Sequence, residues 1–325
     1  MAKISKILLP SRPQSDTTVS IFLVQAFGAK DFGTIEKLAV DSSSGLPAGE
    51  TFESLLSKGV LALDMGGGEF DHHGKIPAIT CSELLAKKLG VLDDPALSKL
   101  FQYVRRCDMQ GKGIISTDPI DKAFGLPGLI TALNKTHSDD PTYVVSTMLP
   151  LIAAHHEEEN RRTKEMPKEF EEAVKARKAD IFEVRQRDKK LKVIIIETEN
   201  MSMLGYLRSQ MGGAFDVVAR RSASGHVNIL TRPTKKVDLR SLALVIRLEE
   251  GNKRGGALND DPRHLSSAGK IPEVSNWYYD TATNSLLNGG SNPKDAEPTA
   301  IDQFTMRKLI EVGLSERLWS PIGRR

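Results

Sequence analysis

The stretch Val60-Leu61-Ala62-Leu63-Asp64-Met65-Gly66-Gly67-Gly68-Glu69-Phe70-Asp71-His72-His73-Gly74 decides how the rest of the chain is read. Four apolar residues, 60–63, have the length of a short buried strand. Asp64 follows directly and so belongs at the strand's carboxyl end. Three glycines then allow the backbone to turn sharply. The turn delivers a second carboxylate and two imidazoles, a mixed oxygen and nitrogen donor set that suits a divalent transition metal such as Mn²⁺. Adjacent side chains on an extended segment point opposite ways, so one histidine is expected to face a metal and the other a substrate.

Working outward, residues 4–9 form an apolar run closed by Pro10 and Pro13, a strand followed by a loop. Asp16 stands just before residues 17–27, which read as a helix, and a carboxylate there also suits a helix cap. Residues 35–40 read as a strand, with 41–45 as the following turn. Residues 82–89 and 95–106 read as helices. Strands alternating with helices predict a parallel, doubly wound α/β sheet, in which ligands bind beyond the carboxyl ends of the strands. Residues 143–190, dense in Lys, Arg and Glu, read as a long polar helix interrupted near Pro167. A second α/β pattern starts near Lys192, with a strand at 193–197, a helix at 202–210, a strand pair at 215–219 and 226–230, and a helix at 237–250. Residues 251–269 read as one long loop. The expected domains are 1–145, a helical connector at 146–190, and a smaller C-terminal α/β domain at 191–325.

The bulk properties narrow the function classes. The chain has 325 residues, of which 39% are hydrophobic and 27% charged, the balance of an ordinary globular protein. No apolar run approaches the roughly 20 residues of a membrane span, and residues 1–10 lack the pattern of a secretory signal. A cytoplasmic location with no membrane partner is the expectation. Two cysteines, Cys81 and Cys107, exclude a disulfide framework and read as packing residues. The net charge of +3 is modest, but Arg161-Arg162, Arg220-Arg221 and Lys235-Lys236 are paired, which would suit a phosphate-bearing ligand. His155-His156 with Glu157 to Glu159 reads as an exposed helix face.

Asp64 with Asp71-His72-His73, followed by Asp108 after a helix, resembles motifs II to IV of the DHH phosphoesterase superfamily, and the form LDMGGGEFDHHG is most similar to its Myg-type exonuclease branch. The resemblance covers about 110 N-terminal residues and one C-terminal segment. It implies a phosphoesterase that uses one or two Mn²⁺ ions, with Mg²⁺ as the alternative. Metal-activated water would attack phosphodiester bonds of oligonucleotides or RNA in a cleft between two domains. By the same resemblance, Asp64 bridges two metals, Asp16, His72 and Asp108 ligate one of them, His73 contacts the phosphoryl group and Asp71 orients a histidine. In the C-terminal segment, Gly255, Gly256, His264 and Gly269 resemble a substrate-binding glycine and histidine loop, although seven residues separate Gly256 from His264. Arg220 and Arg221 are further candidates for holding substrate phosphates.

Motif I departs from the family pattern. Pro13 and Asp16 match, but Ser11 stands at its histidine and Gln14 at its first carboxylate. Arg12 is the candidate to replace the missing positive charge, since a guanidinium holds phosphoryl oxygens bidentately. Two readings therefore stand: a metal-dependent phosphodiesterase or exonuclease, or a nucleotide- or nucleic-acid-binding protein with a degenerate, inactive site. Either is compatible with a homo-oligomer.

Overall fold

The computed structural model describes residues 3–35, 37–74, 78–110, 116–289 and 295–315. It is a mixed α/β structure whose chain divides into two compact units, Met1–Thr163 and Lys164–Arg325.

The first unit is built on a three-stranded parallel sheet: β1 (Lys6–Pro10), β2 (Val40–Ser43) and β3 (Val60–Ala62), in the order β2-β1-β3. Ile7 pairs with Val40 on one side and Leu61 on the other. Parallel strands covered on both faces carry apolar residues continuously, and Ile7, Leu9, Leu61 and Leu63 are fully buried. Between β1 and β2 lie α1 (Ser15–Phe27) and the single turn α2 (Ala29–Phe32), and α3 (Phe52–Ser57) precedes β3. Then come α4 (Cys81–Lys88), α5 (Ser98–Met109), α6 (Pro119–Phe124), α7 (Leu126–Thr136) and α8 (Pro141–Asn160). Residues 15–24 of α1 are buried around the whole helix, polar residues included. Its small hydroxyls are satisfied inside the helix: Thr18 Oγ1 donates to the Gln14 carbonyl at 2.6 Å and Ser20 Oγ to the Asp16 carbonyl at 2.9 Å.

Several expectations change here. The strand expected at 35–40 begins only at Val40 and runs through the residues read as a turn. The stretch 146–190 is not a single polar connector. Helix α8 belongs to the first unit, and a π-helical turn at Arg161–Glu165 interrupts the helical run. Next come α9 (Met166–Lys175) and then a strand, β4 (Ala179–Gln186).

The second unit carries the larger sheet. Its strands are β4, β5 (Lys189–Glu197), β6 (Val217–Arg221), β7 (Val227–Thr231), β8 (Gly269–Ile271), β9 (Val274–Asp280) and β10 (Ser285–Leu287), in the order β4-β5-β6-β7-β10-β9-β8. Only β5 and β6 run parallel; the other pairs are antiparallel. The crossover between β5 and β6 carries α10 (Ser202–Arg208), as a parallel connection requires. Helices α11 (Arg240–Arg254), the short α12 (Pro262–Leu265) and α13 (Gln303–Ser315) complete the unit, and Leu242, Ile246, Trp277, Met306 and Ile310 lie in one core cluster. The expected loop 251–269 is thus the last turn of α11, a linker and α12.

Among the described residues no helix is long and apolar enough to cross a membrane.

Candidate metal centre

The parallel sheet sets the position of the cluster. Asp16 lies in the first turn of α1, the helix that follows β1. Asp64 follows β3, the neighbour of β1 in the sheet. Asp108 comes from the last turn of α5, and His72 from the glycine-rich loop. Ligand atoms of Asp16, His72 and Asp108 lie within 4.8 Å of one another, as do those of Asp64, His72 and His73.

Asp64 takes a left-handed backbone, φ 61°, a conformation that costs a non-glycine residue about 1–2 kcal/mol. The loop holds it there: its amide donates to the Phe70 carbonyl at 3.3 Å. Gly66, at φ 73°, faces the Leu46 side chain so closely that a Cβ would collide with it.

Asp64 Oδ1 is a buried oxygen with no hydrogen-bond partner. His72 Nε2 stands 3.0 Å from it and 3.4 Å from Asp108 Oδ2. His72 Nε2 and Asp64 Oδ1 lie at ion-pair distance without hydrogen-bond alignment. Burial, then the neighbouring Asp16 charge, push the Asp64 carboxyl up to about 7 from its ordinary 3.8. Burial likewise raises the Asp16 carboxyl, with Asp108 adding to the effect. Carboxylates gathered in a buried place without a cation resist ionising; a divalent ion removes that resistance. The donor set therefore fits a divalent metal.

Asp16 does not cap its own helix, whose N-cap residue is Gln14. Its carboxylate instead accepts from the Cys81 amide at 2.7 Å and the Ser82 amide at 2.9 Å, the first two of α4. Thr80 accepts from the third, Glu83, at 3.2 Å. The start of α4 is thereby satisfied entirely by side chains. Each Asp16 oxygen keeps a second lone pair for the cluster.

Asp71 accepts from the Gly67 amide at 2.7 Å, the His73 amide at 3.0 Å and His73 Nδ1 at 2.7 Å. Burial raises its carboxyl, but these bonds outweigh burial and hold it below the ordinary range. The bond from Asp71 is the main cause of the raised imidazole pKa of His73, and it leaves Nε2 as the outer nitrogen. The two histidines do not point opposite ways. Their rings lie 4.5 Å apart at 32°, because residues 71–74 turn rather than extend. The His73 side chain is 68% exposed against 14% for His72, so burial and not alternation distinguishes them.

Cys81, read from the sequence as a packing residue, is fully buried beside the cluster. Its sulfur lies within 4.8 Å of ligand atoms of Asp16 and Asp64. A readable signal existed: Thr80 and Glu83 have capping-box spacing, which starts a helix at Cys81 whose amides need acceptors.

Arg12 and Gln14 are exposed, on the loop between β1 and α1. In the second unit, Arg220 is 6% exposed and donates to the Thr198 and Glu199 carbonyls at 2.8 and 3.3 Å. Its expected phosphate contact is corrected to a backbone clamp, because both faces of its strand are covered. Arg221 donates to the Ile301 carbonyl at 3.1 Å and lines a cleft of about 350 Å³ with Lys178, Glu197 and Thr198. Gly255 ends α11 at φ 69°, with Gly256 beside it. His264 Nε2 pairs with Glu273 at 2.9 Å. The Gly269 carbonyl accepts from Arg247 at 2.5 Å. The glycines and His264 thus lie on separate elements, not on one continuous loop.

No family model matches the chain, and no curated protein matches it. Among solved structures, an uncharacterized protein from Helicobacter pylori G27 aligns at 10% identity and a TM-score of 0.22, covering 95% of this chain and 98% of that one. RecJ in complex with Mn²⁺ from Thermus thermophilus aligns at 11% identity and a TM-score of 0.26, covering 94% of this chain. The chain spans about half the length of that RecJ, 51%. Likenesses at these scores carry no argument about activity. What the molecule itself offers is a mixed α/β fold with a buried cluster of acidic and imidazole ligands.

Proposed function

We propose that this chain is a divalent-metal-dependent phosphoesterase of the DHH type, hydrolysing phosphodiester bonds of oligonucleotides or RNA with Mn²⁺ as the preferred ion. The observation that carries the reading is the buried, unpartnered Asp64 Oδ1, with His72 Nε2 at 3.0 Å. Asp16, Asp64, His72 and Asp108 come from three separate segments, Asp64 and His72 sharing the loop after β3, and would hold the ion together. When bound, it supplies Lewis-acid charge at a phosphoryl oxygen. The remaining roles fall to the chain's own side chains. Asp71 fixes the His73 tautomer and keeps the ring protonated at a higher pH than a free imidazole. The exposed His73 Nε2 is then a hydrogen-bond donor to the phosphate, or to the oxygen that leaves. Arg12, exposed on the loop after β1, adds a bidentate contact to the phosphoryl oxygens.

The test is hydrolysis of an end-labelled oligonucleotide with Mn²⁺ or with chelator. Mn²⁺-dependent cleavage, abolished by His72→Ala, is expected. Full activity in chelator, or in His72→Ala, would place the chemistry elsewhere.

A second reading is supported by motif I, where Ser11 and Gln14 supply neither imidazole nor carboxylate. In that reading the protein binds a nucleotide or nucleic acid without cleaving it. Retention of the labelled oligonucleotide on the protein, uncut in Mn²⁺, is its signature.

A further inference from the structure

The turn between β6 and β7, Ser222-Ala223-Ser224-Gly225-His226, carries three polar side chains that the metal reading does not use. They form one hydrogen-bonded chain. Ser224 Oγ lies 2.8 Å from His226 Nδ1, and His226 Nε2 lies 2.9 Å from the Ala296 carbonyl. A carbonyl can only accept, so Nε2 carries the proton. In the neutral ring Nδ1 is then bare and accepts from the Ser224 hydroxyl. Ser222 donates in turn to the Ser224 oxygen at 2.7 Å, the nearer of its two acceptors, the other being the His226 carbonyl at 3.4 Å. Each proton of the chain thus has one place. The imidazole is also held by shape. Gly289, at φ 91°, faces it so closely that a Cβ would lie 2.5 Å from the ring. Ser224 itself is exposed.

A hydroxyl that donates to an imidazole, with the imidazole oriented by a third group, is the arrangement that activates a serine nucleophile. Here a backbone carbonyl orients the base. We propose that Ser224 is a nucleophile with His226 as its general base, giving the second unit an acyl-transfer activity towards carboxylic esters that uses no metal and no residue of the cluster. The Ser224 oxygen bonds to the ester carbonyl carbon while its proton passes to His226 Nδ1. The bond from that carbon to the alcohol oxygen breaks, and the alcohol leaves with the proton from Nδ1. Water then attacks the acyl-serine by the same route, releasing the acid and restoring the hydroxyl. Ser222 and Ala223, the two residues before Ser224, line the cleft of about 350 Å³ together with Lys178, Glu197, Glu199 and Arg221. Charged side chains of both signs at that place favour a short polar acyl group over a long hydrocarbon one.

The test uses the full chain in chelator, so that metal-dependent hydrolysis is absent. An alkyl fluorophosphonate, which reacts with activated serines, is the covalent probe, and peptide mass spectrometry locates it. Turnover is measured with p-nitrophenyl acetate and p-nitrophenyl octanoate. Label on Ser224 is expected, with acetate hydrolysed faster than octanoate and both label and turnover lost in Ser224→Ala. Labelling should be at least about a hundredfold slower in His226→Gln, which removes the base. Absence of label from Ser224 in the wild type overturns the proposal, as does acetate turnover undiminished in Ser224→Ala or a labelling rate unchanged in His226→Gln. Label without turnover overturns it too, since acyl transfer needs both steps. Octanoate hydrolysed faster than acetate overturns the assigned acyl class. Should His226→Gln fail to fold, the wild type against Ser224→Ala decides. None of these outcomes bears on the metal reading.

Discussion

Both units bury charge, and they treat it in opposite ways. In the second unit Glu250 is completely buried, yet its carboxylate accepts from Arg254 at 2.6 Å, Asn276 at 2.9 Å, the Ala300 amide at 3.0 Å and Trp277 at 3.2 Å, with Thr299 closing the set. Nearby, Arg247 donates through Nη1 and Nη2 to the carbonyls of Leu265, Ser267 and Gly269, with only its Nε left without a partner and no like charge against it. In the first unit Asp64 keeps an oxygen with no partner and crowds against Asp16 and Asp108. A buried charge whose hydrogen-bonding capacity is filled by the protein fastens the fold. One left unfilled, among charges of its own sign, marks a place for something the chain does not contain.

The contrast can be broken most forcefully at Glu250. Glu250→Ala strands the Arg254 guanidinium and several donors, and removing one partner of a buried ion pair costs about 3–5 kcal/mol; urea unfolding should show it. An effect under about 1 kcal/mol would mean that Glu250 is not a fastening group. Next in size, His72→Ala should lower Mn²⁺-dependent hydrolysis by at least about a hundredfold, with little change in the unfolding midpoint in chelator. Asp64→Asn sharpens the contrast further. Without metal it should stabilise the chain by about 1 kcal/mol at pH 8, since the substitution removes a buried charge crowded by Asp16 and Asp108, while Mn²⁺ no longer raises the midpoint. If Asp64→Asn destabilises the metal-free chain, the idea of an unfilled charge is lost.

The same carboxyl predicts a pH dependence. With its folded value near 7 against an ordinary 3.8, the folded chain holds more protons than the unfolded one between those limits. Its contribution to metal-free stability is therefore complete below the ordinary value and disappears as pH rises through about 7. Mn²⁺ requires the ionised form and should reverse the slope. Thermal melts across pH, in chelator and in Mn²⁺, measure both signs, and a slope unaffected by Mn²⁺ would contradict the assignment.

The sequence made the cluster legible because its carriers have strong local signatures. An apolar run ending in Asp64, glycines, and then Asp71-His72-His73 place three side chains on one loop without any tertiary information. Asp16 and Asp108 were readable only through the resemblance to the DHH motifs, since neither lies in that loop. The place of Cys81 beside the cluster was not readable, since it depends on where the start of α4 returns in space. Arg220 misled for a related reason: a basic pair reads as surface, and only the coverage of both faces of β6 shows that it turns inward. Strand β4 was hidden by charge. Ile181, Glu183 and Arg185 are exposed and alternate with buried Phe182, Val184 and Gln186, a period of two that the surrounding Lys and Glu residues disguised as a polar helix. The strands β8 to β10 went unread because no turn signal of the I′ or II′ type separates them.

Asp16 serves two masters: two peptide groups at the head of α4 and the cluster it faces. An ion drawing on that carboxylate must weaken its hold on those peptide groups, so occupancy is written into the backbone. The amide protons of Cys81 and Ser82 should exchange with deuterated solvent faster when the ion is present than when it is removed. That would make the chain its own gauge of metal loading, with no substrate needed.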